Sequence, residues 1–170
     1  MILGMSVSTF TTVHVVLSLI GILSGIVVLF GMIVSKRLHR WTALFLLTTV
    51  LTSVTGFMFP SYHVLASHIV GMLSLLVLVP AIIAFYGFRL ARAWRWIYVT
   101  GAVLALYFNV FVGVAQAFLK VPMLKALAPT QSEPPFLVAQ AVVLAVFVVL
   151  GVAAVKSFHP EVRARLFGPV

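Results

Sequence analysis

The sequence predicts an all-α fold, an integral membrane bundle of about five transmembrane helices with the N-terminus outside and the C-terminus inside. One observation is composition: the 170 residues are 64% hydrophobic and only 8% charged, whereas about a quarter of a soluble domain is charged. Another is the recurrence of long apolar stretches without Asp, Glu, Lys or Arg, each near the roughly 20 residues that cross a bilayer as a helix. These features exclude a soluble enzyme, a disordered chain and a soluble nucleic-acid-binding domain.

Five apolar stretches predict the transmembrane spans. Their length and the absence of period-two alternation favour helices over barrel strands. We therefore expect a single transmembrane helical domain over 1–170, without an internal repeat. The predicted spans are 12–34, 42–60, 68–88, 96–118 and 136–155.

Basic residues set the predicted orientation. Lys and Arg collect on the cytoplasmic side of membrane proteins, and five spans place all of them except Lys120 and Lys125 on one side. Trp41, Trp94 and Trp96 fall at the same boundary, where indole rings prefer to lie. The net charge of +9 thus indicates topology in a bacterial plasma (inner) membrane and contact with anionic lipid, not nucleic acid. The basic residues on this side are Lys36, Arg37, Arg40, Arg89, Arg92, Arg95, Lys156, Arg163 and Arg165.

The two outer connections differ in length. The segment 61–67 is short, so the second and third spans are expected to form a tight antiparallel pair. The segment 119–135 is the longest connection, and its prolines limit the conformations that it can adopt. We expect residues 123–127 to form a turn of interfacial helix, and the whole connection to lie as a lid over the outer end of the bundle.

Small and polar residues mark the faces that pack together. In lipid, small residues let helices approach closely, and polar side chains face the bundle. On the first span, one such face holds His14, Ser18, Gly21 and Gly25, and the second span is rich in Thr and Ser. The corresponding stripe on the fourth span consists of Gly101, Ala105, Asn109, Gly113 and Gln116.

Side chains that need hydrogen-bond partners inside the bundle gather in the predicted outer leaflet. A helical rise of about 1.5 Å per residue places His14, Gln116 and Gln140 within a turn or so of the outer boundary. His63 and His68 flank the short outer connection. Asn109 lies near mid-membrane. These six are the candidate cofactor-binding residues.

Neutral imidazoles suit two kinds of cofactor here. A b-type haem takes axial histidines from facing helices. His14 beside Ser18 and Gly21 fits one wall of such a site, with His63 or His68 on the other. A transition metal would instead bind His14, His63 and His68 together. Interfacial histidines that bind nothing are the alternative that the sequence leaves open.

The three amides have their own expected roles. Gln116 and Gln140 would support the ligands of the cofactor, or contact haem propionates or a quinone. Asn109 would contact a substrate or quinone, or else form an interhelical hydrogen bond. The chain has no cysteine, so thiolate ligands are absent.

The segment 38–60, LHRWTALFLLTTVLTSVTGFMFP, has a His-Arg pair that leads into a Thr- and Ser-rich helix closed by Gly. In this it resembles small bacterial inner-membrane proteins of unknown function, some of which are distantly similar to four-helix b-type cytochromes. The resemblance covers this segment and the general hydropathy plan. It implies a role for His39, the histidine of the pair.

Three functions fit these observations to different degrees. The first is a redox protein in which His14, with His63 or His68, holds b-type haem or a metal. The second is a non-catalytic accessory subunit or assembly factor, whose small-residue faces pack within the bundle and whose partner is another membrane protein or a second copy. A small-solute transporter is the weakest, because the spans contain no carboxylate for ion coupling.

Overall fold

The computed structural model describes residues 1–59 and 66–160, and these residues form an all-α bundle. Ser6 begins the first helix by accepting a hydrogen bond from the Thr9 backbone N–H at 3.1 Å, so this helix starts before the predicted span. The third helix continues into a π-helical turn, Ile83–Gly87. The helices are α1 (Val7–Ile33), α2 (His39–Phe57), α3 (Ala66–Ile82), α4 (Trp94–Lys120), α5 (Pro122–Leu127) and α6 (Pro134–Ser157).

Four helical segments in the described part of the chain are long and apolar enough to cross a membrane. They are Val7–Ile33, His68–Gly87, Trp94–Lys120 and Pro134–Ser157. The remaining predicted span, 42–60, corresponds to α2, which has 19 residues. This helix falls outside the set because it begins with His39 and Arg40 and carries many hydroxyl side chains. It nevertheless packs along α1 inside the bundle.

The helices α1 to α4 form a ring. Both α2 and α4 pack against α1 and α3, so α1 and α3 lie across the ring from each other, and α6 packs outside against α1 and α4. We call the end of the ring that holds the N-terminus of α1 and the C-terminus of α4 the cavity end. The opposite end, with the N-termini of α2 and α4, is the basic end. Large buried side chains, among them Phe45, Phe85 and Tyr98, fill the ring towards the basic end.

Two glycines allow close contact between helices. A Cβ atom at Gly101 on α4 would lie 2.8 Å from the Val77 backbone oxygen of α3. A Cβ atom at Gly25 on α1 would lie 2.6 Å from a methyl carbon of Leu106 and 2.8 Å from the ring of Phe45. The predicted small-residue faces of the first and fourth spans therefore do turn into the bundle.

Two arginines stabilise the basic end by direct contacts. Arg37 donates to the Phe85 carbonyl at 3.3 Å, and its guanidinium lies 5.0 Å from the centre of the Phe85 ring. Arg95 donates to the carbonyls of Val155, at 3.2 Å, and Phe158, at 2.6 Å, at the end of α6. Carbonyls at a helix C-terminus have no partner within the helix, so Arg95 fixes the end of α6 against α4.

The connection from α4 to α6 contains the expected interfacial helix, α5, whose bounds are Pro122–Leu127. Beyond it, Gln131 donates to the Ala115 carbonyl of α4 at 2.6 Å. Glu133 accepts hydrogen bonds from Thr130 and Ser132. Desolvation raises the pKa of the Glu133 carboxyl, but these hydrogen bonds outweigh it and hold the pKa below its ordinary value. The connection is thus held by its own polar contacts.

Candidate functional site

The ring of α1 to α4 encloses a cavity of about 660 Å³ at the cavity end. This volume lies within the range of about 300–1,000 Å³ that is typical of small-molecule sites. All four helices of the ring contribute to its wall, and most of the wall is apolar. The polar or basic side chains that line it are Thr11, His14, Ser18, Thr52, Ser53, His68, Ser74, Asn109, Gln116 and Lys120.

His14 lies on the α1 wall, and its contacts determine where the ring proton resides. The Nδ1 atom lies 2.8 Å from the Thr55 hydroxyl oxygen of α2. That hydroxyl donates its single proton to the carbonyl of Leu51, at 2.7 Å, or of Thr52, at 3.2 Å. With its proton on either carbonyl it accepts from His14, which then places the proton of neutral His14 on Nδ1 and leaves a lone pair on Nε2.

The surroundings of His14 hold its ring in place. A Cβ atom at Gly56 would lie 3.7 Å from Cε1 of His14, so the imidazole packs beside a position with little side-chain bulk. The ring of Phe59 contacts it edge-on, with 5.2 Å between ring centres. An imidazole fixed in one tautomer and one orientation is the arrangement found in protein ligands of metals.

His68 lines the same cavity from α3, across the ring from α1. Its imidazole stacks on Phe57 with 5.7 Å between ring centres and an angle of 19°. Gly71, one turn further along α3, also lines the cavity. The structure therefore brings together two of the three predicted histidines, on opposite helices. His63 lies outside the described residues.

The two predicted amides of α4 both line this cavity. Asn109 donates to the Thr49 hydroxyl of α2 at 3.2 Å, so the interhelical hydrogen bond expected as one role of Asn109 is present. Gln116 lies two turns nearer the cavity end and is exposed. Their roles as cofactor contacts stay predictions.

Gln140 does not line the cavity. It lies on the face of α6 that packs against the outer side of α4, where its side chain donates to the Phe111 carbonyl at 3.1 Å. Depth along the helix alone placed it with the other polar residues. Because α6 packs outside the ring, the face of α6 that carries Gln140 does not reach the cavity that the other polar residues line.

The expected lid is not where the sequence placed it. Residues 121–135 contribute nothing to the cavity wall. The connection packs instead over α4 and α6, in a small cluster with Phe118, Ala128 and Phe136 buried at its centre. Because α6 packs outside the ring, the chain that leads to it runs away from the cavity.

Two hydroxyls in the cavity wall were not singled out from the sequence. Most Ser and Thr side chains in these helices bond a carbonyl of their own helix, as Ser18 and Ser53 do. Thr52 and Ser74 are exceptions: each has a buried hydroxyl oxygen without a hydrogen-bond partner. Ser74 as a whole is only 3% exposed. An unpartnered buried hydroxyl is unfavourable, and solvent does not reach either oxygen.

No group of three His, Asp or Glu side chains suited to a metal ion occurs within the described ranges. His39, which the resemblance singled out, lies at the basic end, where its ring is 5.2 Å from that of Phe85. It is therefore remote from the cavity.

The helices and the cavity define a multipass membrane protein with an internal site between four helices. None of the protein-family models, curated proteins or solved structures compared with the chain matches it.

Proposed function

We propose that this protein binds b-type haem in the four-helix cavity and takes part in electron transfer within the bacterial plasma membrane. The observation that carries the proposal is that His14 and His68, on opposite helices, line one cavity. Histidine pairs from facing helices are suitable axial ligands for haem iron. Bound haem supplies one-electron chemistry.

The residues present fit this group. His14 offers Nε2, because its Nδ1 proton is used by Thr55. The cavity has a volume of about 660 Å³, and Gly56 leaves space beside His14. Lys120, at the end of α4, also lines it and can pair with the carboxylates of a haem. The polarity of the wall thus matches an apolar macrocycle with an acidic edge.

A single transition-metal ion is supported less well. Such an ion needs about three or four protein ligands, and the part of the chain that the structure describes brings only two histidines to the cavity wall. The role of an accessory subunit or assembly factor is the second candidate. It is favoured by the lipid-facing side of α6, where residues such as Val138 (60% exposed) and Val149 (67% exposed) are available to a protein partner or a second copy.

The test is an absorption spectrum of the detergent-purified protein, oxidised and then reduced with dithionite. We expect a Soret band and sharp reduced bands from the wild type. His14→Ala should lose most of the bound haem. The matched control is His39→Ala, which changes a histidine at the basic end and should keep the spectrum.

A folded wild-type protein without a Soret band would overturn the haem proposal. So would a spectrum that survives His14→Ala unchanged. Size-exclusion chromatography of each variant separates loss of haem from loss of the fold. With haem excluded in this way, the accessory role becomes the leading candidate.

A further inference from the structure

The cavity has one wall that is open. The lining residues on α2 and α3, and Phe59 just after α2, are all buried or half-buried. The exposed lining residues all belong to α1 and α4. They are Val15, Leu19, Gly113, Gln116 and Lys120.

This open wall reaches deep into the predicted span. Gly113 lies about 10 Å inward from Lys120 at a rise of about 1.5 Å per residue. Leu19, on the facing helix, is 53% exposed. A Cβ atom at Gly113 would meet only the tip of Ile22, at 3.7 Å, so the space beside this glycine is open. Helix α6 packs against both α1 and α4 but leaves Val15, Leu19 and Gly113 exposed. Since α1 and α4 are both long and apolar enough to span the membrane, we expect the opening to face the hydrocarbon of the bilayer.

The opening carries a basic side chain where it meets the cavity end of the ring. Lys120 lines the cavity and is exposed at the end of α4. The sequence has only two acidic residues. One of them, Glu133, already accepts hydrogen bonds from Thr130 and Ser132, and no ion pair joins it to Lys120 in the described part of the chain. A positive charge at the edge of an apolar cavity favours a ligand with an acidic group there.

We propose that the cavity takes membrane-partitioning amphiphiles that carry a carboxylate, which enter from the bilayer between α1 and α4 and place the carboxylate against Lys120. Their apolar part then fills the cavity, most of whose wall is apolar. This inference deepens the proposed function and rests on the same cavity. Haem, with its two propionates, is one member of the class, and a long-chain fatty acid is another.

The experiment measures binding of a brominated fatty acid, 9,10-dibromostearate, and of its methyl ester in nanodiscs. Phe108→Trp places a fluorophore in the cavity wall, and the native Trp41, Trp94 and Trp96 are replaced by Phe. All proteins also carry His14→Gln, which removes one haem ligand, so that haem does not compete. His68→Gln is the second background, used if His14→Gln does not fold.

We expect the acid to quench the tryptophan saturably, at a concentration at least about fivefold lower than the ester, which corresponds to about 1 kcal/mol. Lys120→Gln should abolish this difference, whereas the control Lys125→Gln, on α5, should keep it. Gly113→Leu narrows the opening and should weaken quenching by both probes. The background of quenching from the bilayer is common to the acid and the ester.

Equal quenching by acid and ester, or a difference that survives Lys120→Gln, would overturn the recognition of a carboxylate. Unchanged quenching in Gly113→Leu would overturn the entry route. The haem proposal is judged separately on the wild-type spectrum. If the wild type contains no haem but the His14→Gln variant binds the acid, the haem proposal fails and this inference stands. If the wild type contains haem but the variant does not bind the acid, only this inference fails.

Discussion

At the scale of single residues, the contact between His14 and Thr55 does most to define the site. The Thr55 hydroxyl donates to a carbonyl of its own helix and accepts from His14, and this contact orients the imidazole. The sequence places His14 on a small-residue face, but it does not reveal the partner. Span two carries several hydroxyls of similar depth, and only the rotation of α2 against α1 selects Thr55.

Thr55→Val tests this positioning role, because valine keeps the shape of the side chain and removes the acceptor. We expect haem to bind about 10- to 100-fold more weakly, as is usual when the residue that orients a metal ligand is lost. The free energy of unfolding should fall by only about 0.6 kcal/mol, the mean for such bonds in membranes. Haem transfer to apomyoglobin and thermal unfolding measure the two effects.

Thr55→Ser keeps a hydroxyl and should retain most of the affinity for haem. Thr12→Val is the control for a hydroxyl that bonds only its own helix, to the Ser8 carbonyl at 3.1 Å. Equal loss of haem in Thr12→Val and Thr55→Val would show that Thr55 has no special role.

At the scale of helices, apolar periodicity predicted most of the architecture, and the reasons for the misses are physical. Long apolar runs identify the helices because lipid leaves few other structures open to the backbone. The small-residue stripe of the fourth span correctly indicated the face that turns into the bundle, where Gly101 meets α3 and Gly113 lies nearest to Ile22 of α1. Gln140 did mark the buried face of α6, but the neighbours of that face were not predictable, and Gln140 meets the outer side of α4 instead of the cavity.

Gly101→Ala tests the close approach of α4 to α3. The added Cβ would meet the Val77 backbone oxygen at 2.8 Å and the Ala81 Cβ atom at 3.0 Å. Backbone atoms cannot move aside as a side chain does, so we expect the free energy of unfolding to fall by about 1–3 kcal/mol. Thermal unfolding in detergent measures the change.

The control is Gly113→Ala, in the same stripe of the same helix, where the new Cβ would make one ordinary contact at 3.7 Å. It should leave stability unchanged or raise it slightly, because alanine favours helix more than glycine does. Equal destabilisation by both substitutions would contradict the packing described for α3 and α4.

At the scale of the whole molecule, the two ends of the ring differ in packing and in polarity. The basic end is filled with large side chains and is held by Arg37 and Arg95. From the sequence, the positive charge there indicated topology and contact with anionic lipid, yet these two arginines also join helices. The cavity end is loosely filled and lined with polar groups. The orientation of the chain across the membrane, N-terminus outside, stays a prediction.

The depth of polar residues along the helices predicted that His14, His68 and Gln116 lie at one end. A binding site at this end was expected, but the walls of the cavity were not predictable, because they depend on how four helices pack around it. Nor did the depth of the polar residues reveal that the exposed residues of the cavity wall all lie on α1 and α4.

The electron paramagnetic resonance spectrum of the oxidised, purified protein distinguishes a haem held by two histidines from one held by a single histidine. If His14 and His68 hold one haem between them, the wild type gives a low-spin ferric signal, and His68→Ala converts it to a high-spin signal. The control His39→Ala keeps the low-spin signal. A wild type without a ferric haem signal, or a low-spin signal that His68→Ala leaves untouched, would contradict the claim that these two histidines share a haem.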